Sequence, residues 1–198
     1  RHGLSGSYEA LAVPPDAIEA FLRSLPGSSW VGGNVTVPHK ATAHRLASER
    51  DAVAEATGAV NTLWIEDGKL CGANTDGPGF LANLDDNAAG WDAHPGDAVV
   101  LGAGGAAAAV AWGLKARGFH VHLANRTLSR AEALAVRLGA KVAAHEWRAL
   151  PSLLRQAALL VNTTSLGMVG KDELAIDLSP LRDGALVTDV VYAPLETP

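Results

Sequence analysis

Short apolar runs recur through the second half of the chain, each followed by a segment of helical periodicity. Ala98–Leu101, His120–Ala124, Lys141–Ala144, Ala158–Val161 and Ala185–Val191 are predicted strands. Ala106–Ala116, Ser129–Leu138 and Leu150–Gln156 are predicted helices, with Gly118 and Gly139 where helix C-caps are expected. Strands alternating with helices predict a parallel, doubly wound sheet.

The first half reads as a mixed α/β region. Tyr8–Val13 alternates loosely like a strand and is punctuated by Pro14-Pro15. Ala17–Ser24 is a predicted helix with Asp16 near its N-terminus. A short strand is expected over Asn34–Val37, ended by Pro38, and helical periodicity resumes at Lys40–Leu46. Val60–Ile65 and Leu70–Ala73 flank Glu66-Asp67-Gly68-Lys69, a hairpin signal. Gly77–Asp85 is a predicted connecting helix. The turn-rich stretch Asn87–Gly96 marks a domain seam.

Composition narrows the class. Of 198 residues, 48% are hydrophobic and 19% charged, which suits a packed core and not a disordered chain. The net charge of −5 argues against a general nucleic-acid partner. The single cysteine, Cys71, excludes an internal disulfide framework and a cysteine-rich metal site, and reads as a small buried hydrophobe. No apolar run reaches the roughly 18 residues of a membrane span, so no membrane partner is expected. No signal peptide opens the chain, and the expected compartment is the cytoplasm. A chain that begins at Arg1 and stops at Pro198 reads as a fragment cut at both ends.

Four segments carry candidate chemistry. Gly102, Gly104 and Ala107 fit a G-x-G-x-x-G/A turn between a predicted strand and a predicted helix. Such a turn lets the backbone approach a pyrophosphate, which then sits at the helix N-terminus. At the end of the next strand an NAD site usually carries an acid for the ribose hydroxyls. Here the chain reads Asn125-Arg126-Thr127, with Arg130 one turn on. Guanidinium forks suit the 2′-phosphate of NADP, the alternative being two solvated surface charges. Lys40 opens a predicted helix, where the dipole disfavours its charge and would ready it for proton transfer. Asp76 lies in a Thr-Asp-Gly turn. A solvated lysine and an Asx turn are the competing readings, and spacing alone decides neither. His39 reads as structural.

Together these segments resemble the shikimate dehydrogenase family. The resemblance rests on Asn-Val-Thr-Val-Pro-His-Lys at 34–40, Gly-Ala-Val-Asn-Thr at 58–62 and Asn-Thr-Asp-Gly-Pro-Gly-Phe at 74–80. It continues through Gly-Ala-Gly-Gly-Ala at 102–106, Asn-Arg-Thr at 125–127, Asn-Thr-Thr-Ser-Leu-Gly-Met at 162–168 and Asp-Val-Val-Tyr-Ala-Pro-Leu-Glu-Thr-Pro at 189–198. It implies a substrate-binding α/β domain, residues 1–80, followed by a Rossmann-type NADP-binding domain, residues 81–198. The implied activity is reduction of 3-dehydroshikimate to shikimate with NADPH, in the biosynthesis of chorismate and the aromatic amino acids.

The family's catalytic lysine and aspartate fall on Lys40 and Asp76. Its substrate contacts fall on Thr36, Asn61, Asp76 and Tyr192. Its cofactor contacts fall on Gly102, Ala103, Gly104, Gly105, Ala106, Asn125, Arg126, Thr127, Arg130, Thr164 and Ser165, with Met168 close by. No metal is implied, and a homodimer is left open. The family's Ser-x-Ser pair and its C-terminal Gly-Met-Leu segment with a glutamine have no counterpart here; Ser5-Gly6-Ser7 precedes the wrong elements to fill that role. A quinate/shikimate dehydrogenase of relaxed specificity and a non-catalytic NADP-binding fragment are the alternatives.

Overall fold

The computed structural model describes residues 5–194. The motif at 189–198 therefore runs partly outside the described residues, as do the chain ends. Two sheets organise the described residues. The first half supplies α1 (Ile18–Ser24), β1 (Gly32–Asn34), α2 (Lys40–Leu46), β2 (Glu49–Arg50), α3 (Ala52–Thr57), β3 (Thr62–Glu66), β4 (Lys69–Ala73) and α4 (Asp76–Asn87). The second supplies β5 (Asp97–Leu101), α5 (Gly105–Ala116), β6 (His120–Asn125), α6 (Leu128–Leu138), β7 (Val142–Glu146), α7 (Leu150–Leu154), β8 (Ala157–Asn162) and β9 (Leu186–Asp189).

In the second half the strand order is β7-β6-β5-β8-β9, and every pairing is parallel. This is the doubly wound sheet expected from the alternation. Period-two geometry divides β5 cleanly between two cores. Ala98 and Val100 pack with Ala107, Ala111 and Leu114 of α5 and with Leu134 of α6. Val99 and Leu101 pack on the other face with Leu150 and Leu154 of α7. A parallel sheet needs both faces covered, and these helices cover them.

The first half forms the mixed sheet β1-β3-β4-β2. Its hairpin turns through Asp67 (φ 50°) and Gly68 (φ 72°), the positive pair that a two-residue turn between right-twisted strands requires. Ile18, Leu22, Val60, Leu63 and Leu70 form its core.

Three readings of this half need correction. Tyr8–Val13 is not a strand. It forms no backbone ladder with any strand among the described residues, and Tyr8 and Leu11 are exposed. The segment is instead held from its ends, by Tyr8 Oη donating to Asn34 (2.7 Å) and by the His39 ring against the Val13 carbonyl (2.8 Å). The strand expected at Asn34–Val37 lies at Gly32–Asn34. Beyond it the Val35 N–H donates to the Asn61 carbonyl (2.7 Å), and the Thr36 carbonyl closes a turn with His39 (2.9 Å) before α2 starts. Finally, β2 and α3 were not expected. Helix α3 is set by Asp51, whose carboxylate accepts from the Ala54 N–H (2.7 Å), and by the left-handed Gly58.

These burial patterns give a direct stability contrast. Leu123→Ala, in the fully buried middle of β6, is expected to cost about 2–5 kcal/mol. Leu11→Ala, in the exposed N-terminal segment, is expected to change stability by no more than about 0.5 kcal/mol. Urea unfolding of both variants checks the pair.

Candidate functional site

Lys40 and Asp76 are the first residues of α2 and α4. Strand β4 and the α3–β3 connection bring these helix starts together. Lys40 Nζ lies 2.7 Å from Asp76 Oδ2, with both side chains mostly screened from solvent. The other carboxylate oxygen accepts from Asn61 Nδ2 (2.8 Å). The Asn61 side-chain oxygen in turn accepts from the Thr75 N–H (2.9 Å), which fixes the orientation of the amide. The Asp76 carboxylate also sits in the first turn of α4, where the helix dipole favours negative charge.

A buried frame supports this arrangement. Fully buried Asn74 accepts from the Asp76 N–H (3.0 Å) and donates to the Ala59 carbonyl (3.0 Å). Asp51 receives the Asn74 N–H (3.2 Å) as well as capping α3. The Lys40 carbonyl accepts from the Val60 N–H (3.0 Å). Asp51, Asn74 and Thr75 escaped the sequence reading as site residues. The D-x₆-G spacing from Asp51 to Gly58 was the signal for α3 and its cap.

The other expected substrate contacts do not join this network. Thr36 is exposed in the turn before α2. Tyr192 is 84% exposed on the segment after β9. Neither hydrogen-bonds to Lys40 or Asp76 among the described residues. His39 packs as a structural residue against Val13.

The glycine turn follows β5. Gly102 has φ 113°, and a Cβ there would approach Thr163 Oγ1 to 2.9 Å. Thr163 holds that position by donating to the Leu101 carbonyl (2.6 Å). At Gly104, the residue before α5, a Cβ would meet nothing within 4 Å, and the first turn of the helix carries no acid. The first N–H groups of α5, as at any helix start, have no partner within the helix. The turn fits the pyrophosphate of a dinucleotide. Asn125 ends β6 and donates to the Thr127 carbonyl (2.8 Å), shaping a loop that leaves Arg126 and Arg130 exposed. No acid lies in the first turn of α6.

The loop after β8 is ordered by a buried amide. Asn162 accepts from the Thr164 N–H and hydroxyl (3.0 and 2.8 Å) and donates to Asp189 (2.9 Å). Thr164 is half-buried and Ser165 exposed. The motif at 162–168 drew attention to Thr164 and Ser165, but Asn162 and Asp189 do the ordering.

A cavity of about 450 Å³ joins the two regions. Lys40, Thr57, Gly104, Gly105, Arg130 and Arg137 are among its lining residues, which include three cations and no carboxylate. The Lys40 stem passes 3.5 Å from where a Cβ of Gly105 would lie. A second cavity, of about 310 Å³, lies on the opposite face of the parallel sheet among Leu160, Leu174, Ile176 and Val187, remote from Lys40. Among the described residues, no group of three or more His, Cys, Asp or Glu could hold a metal. No described helix is long and apolar enough to cross a membrane.

The chain is similar to known proteins along its length. A family model described as shikimate dehydrogenase substrate binding domain matches residues 1–63. A second, described as shikimate / quinate 5-dehydrogenase, matches residues 87–187. The chain is 57% identical to the shikimate dehydrogenase (NADP(+)) of Mesorhizobium japonicum over 199 aligned positions, covering 100% of this chain and 71% of that protein. The corresponding protein of Azorhizobium caulinodans is 54% identical over the same shares. Among solved structures, shikimate 5-dehydrogenase from Thermus thermophilus, in complex with NADP(H) and shikimate, matches with a TM-score of 0.83 and 36% identity. That match covers 97% of this chain and 70% of the other.

Proposed function

The chain belongs to the shikimate dehydrogenase family, and from that premise we propose how its residues carry out the NADPH-dependent reduction of 3-dehydroshikimate to shikimate. It is an NADP-dependent oxidoreductase of aromatic amino-acid biosynthesis. The observation that carries the residue assignment is the 2.7 Å Lys40–Asp76 pair standing against the glycine turn.

When bound, NADPH supplies the hydride that reduces the substrate carbonyl carbon. Lys40 Nζ delivers the proton to the carbonyl oxygen, and in the reverse direction removes it from the hydroxyl. Asp76 orients the ammonium, and Asn61 fixes Asp76 through its second oxygen, while Lys40 lines the cavity. Thr36 and Tyr192 complete the substrate contacts. The turn Gly102, Ala103, Gly104, Gly105 and Ala106 receives the pyrophosphate. Asn125, Arg126, Thr127 and Arg130 receive the 2′-phosphate end, and Thr164 and Ser165 flank the nicotinamide end. Residues 1–80 hold the substrate and residues 81–198 the cofactor, with α4 running through the junction. A cytoplasmic enzyme acting on small molecules, without nucleic-acid or membrane partners and with homodimer formation open to test, completes the proposal.

The experiment is a comparison of four substrate pairs: shikimate or quinate, each with NADP or NAD, followed by the absorbance of the reduced nicotinamide. Shikimate with NADP is expected to be fastest, by about tenfold or more over NAD, as loss of one charge-assisted contact of about 1.5 kcal/mol implies. Faster turnover of quinate, or equal use of NAD, would overturn the assignment of substrate or of cofactor respectively.

A further inference from the structure

Arg137 belongs to α6, whose Leu134 and Leu138 are buried in the core of the parallel-sheet half. Its guanidinium reaches the other half and lies on Gly58. A Cβ on Gly58 would clash with Arg137 Nη1 and lie 2.7 Å from Cζ and 3.2 Å from Nε. Three consecutive atoms of the guanidinium plane thus occupy the space that any side chain there would need. Gly58 is also left-handed (φ 67°), and its N–H closes α3 on the Ala54 carbonyl (2.8 Å). The C-terminal end of a helix carries partial negative charge, so a cation beside it is favourable.

The three residues after Gly58 all lead to the proton-transfer network. The Ala59 carbonyl holds Asn74, the Val60 N–H holds the Lys40 carbonyl, and the Asn61 amide holds Asp76. We propose that Arg137 is a positioning residue that clasps Gly58 across the two halves and so fixes the Gly58–Asn61 segment on which the Lys40–Asp76 pair rests. Its reach extends to α2. His44, one turn past Lys40, is held below the ordinary histidine value by burial first and then by Arg50, with Arg137 adding in the same direction against the opposing pull of Glu55. Its Nε2 is buried without a hydrogen-bond partner among the described residues, the Glu55 carboxylate standing 3.7 Å away.

The proposal concerns the same site as the functional reading, so the test has an arm that does not need turnover. Arg137→Ala and Arg137→Lys are made in the whole chain, and amide hydrogen exchange is read at Val60 and Asn61. Val60 is fully buried, so its amide exchanges through local opening. The alanine variant is expected to speed that exchange by about tenfold, with amides of β5 and β6 unchanged. The lysine variant keeps the charge without the flat guanidinium and is expected to fall between. NADP affinity is expected to stay within about twofold, and shikimate kcat to fall. Unchanged exchange at Val60 would overturn the clasp. NADP affinity falling by about tenfold or more would instead make Arg137 a phosphate contact in the cation-lined cavity, and would equally overturn it. Absence of shikimate turnover in the parent would defeat the functional reading alone, because the exchange arm would still stand.

Discussion

Lys40→Ala is expected to lower shikimate turnover by about 10²–10⁴-fold, the contribution of a positioned general acid–base group. The substitution removes the ammonium that lies 2.7 Å from Asp76 while leaving the Lys40 main chain, and its bond to the Val60 N–H, in place. The supporting frame of Asp51, Asn74 and Asn61 is untouched. NADP affinity should therefore stay close to the parent value, because the glycine turn and the Arg126–Arg130 loop belong to other elements. Steady-state rates set beside a calorimetric NADP titration separate the two effects. A variant keeping more than about a tenth of parental turnover would remove Lys40 from the proton step.

Arg126→Ala is expected to weaken NADP binding by about tenfold or more while leaving NAD binding nearly unchanged, since a charge-assisted contact is worth about 1.5–3 kcal/mol. Arg126 is exposed, so the lower end of that range applies. The argument rests on the end of β6, where Asn125 shapes the loop and no acid stands to receive a ribose hydroxyl. Titration of both dinucleotides against the parent and the variant checks it. An equal loss for both would return Arg126 to the solvated surface charges.

The two halves of the fold differed in how openly the sequence declared them, for a physical reason. Strands buried on both faces appear as continuous apolar runs, and Ala98–Leu101 and Ala158–Val161 were legible on that ground. Their helices end at glycines such as Gly139, which mark boundaries independently. In the first half the elements are short and half-exposed. Tyr8–Val13 has the alternation of a strand, but alternation cannot supply the partner that a strand requires. Helix α3 has little apolar periodicity, and its caps at Asp51 and Gly58 identify it better than its interior does.

The site divided in the same way. Motif residues such as Lys40 and Asp76 stood out through resemblance. Their 2.7 Å approach, across 36 positions of sequence, is a tertiary fact that spacing could not reveal. Asn162 and Asp189 each open a quoted motif, but their pairing across 27 positions is a tertiary fact, and no local pattern distinguishes Arg137 from ordinary helix residues.

The central claim is that Lys40 and Asp76 act as one proton-transfer unit. A double-mutant cycle of Lys40→Ala, Asp76→Asn and the combined variant, read as kcat/KM for shikimate, tests it most directly. Groups that work as a unit give strongly non-additive losses, so the double variant is expected to be scarcely worse than the more damaging single one. Losses that simply multiply would show that the two residues act independently, and would contradict the mechanism.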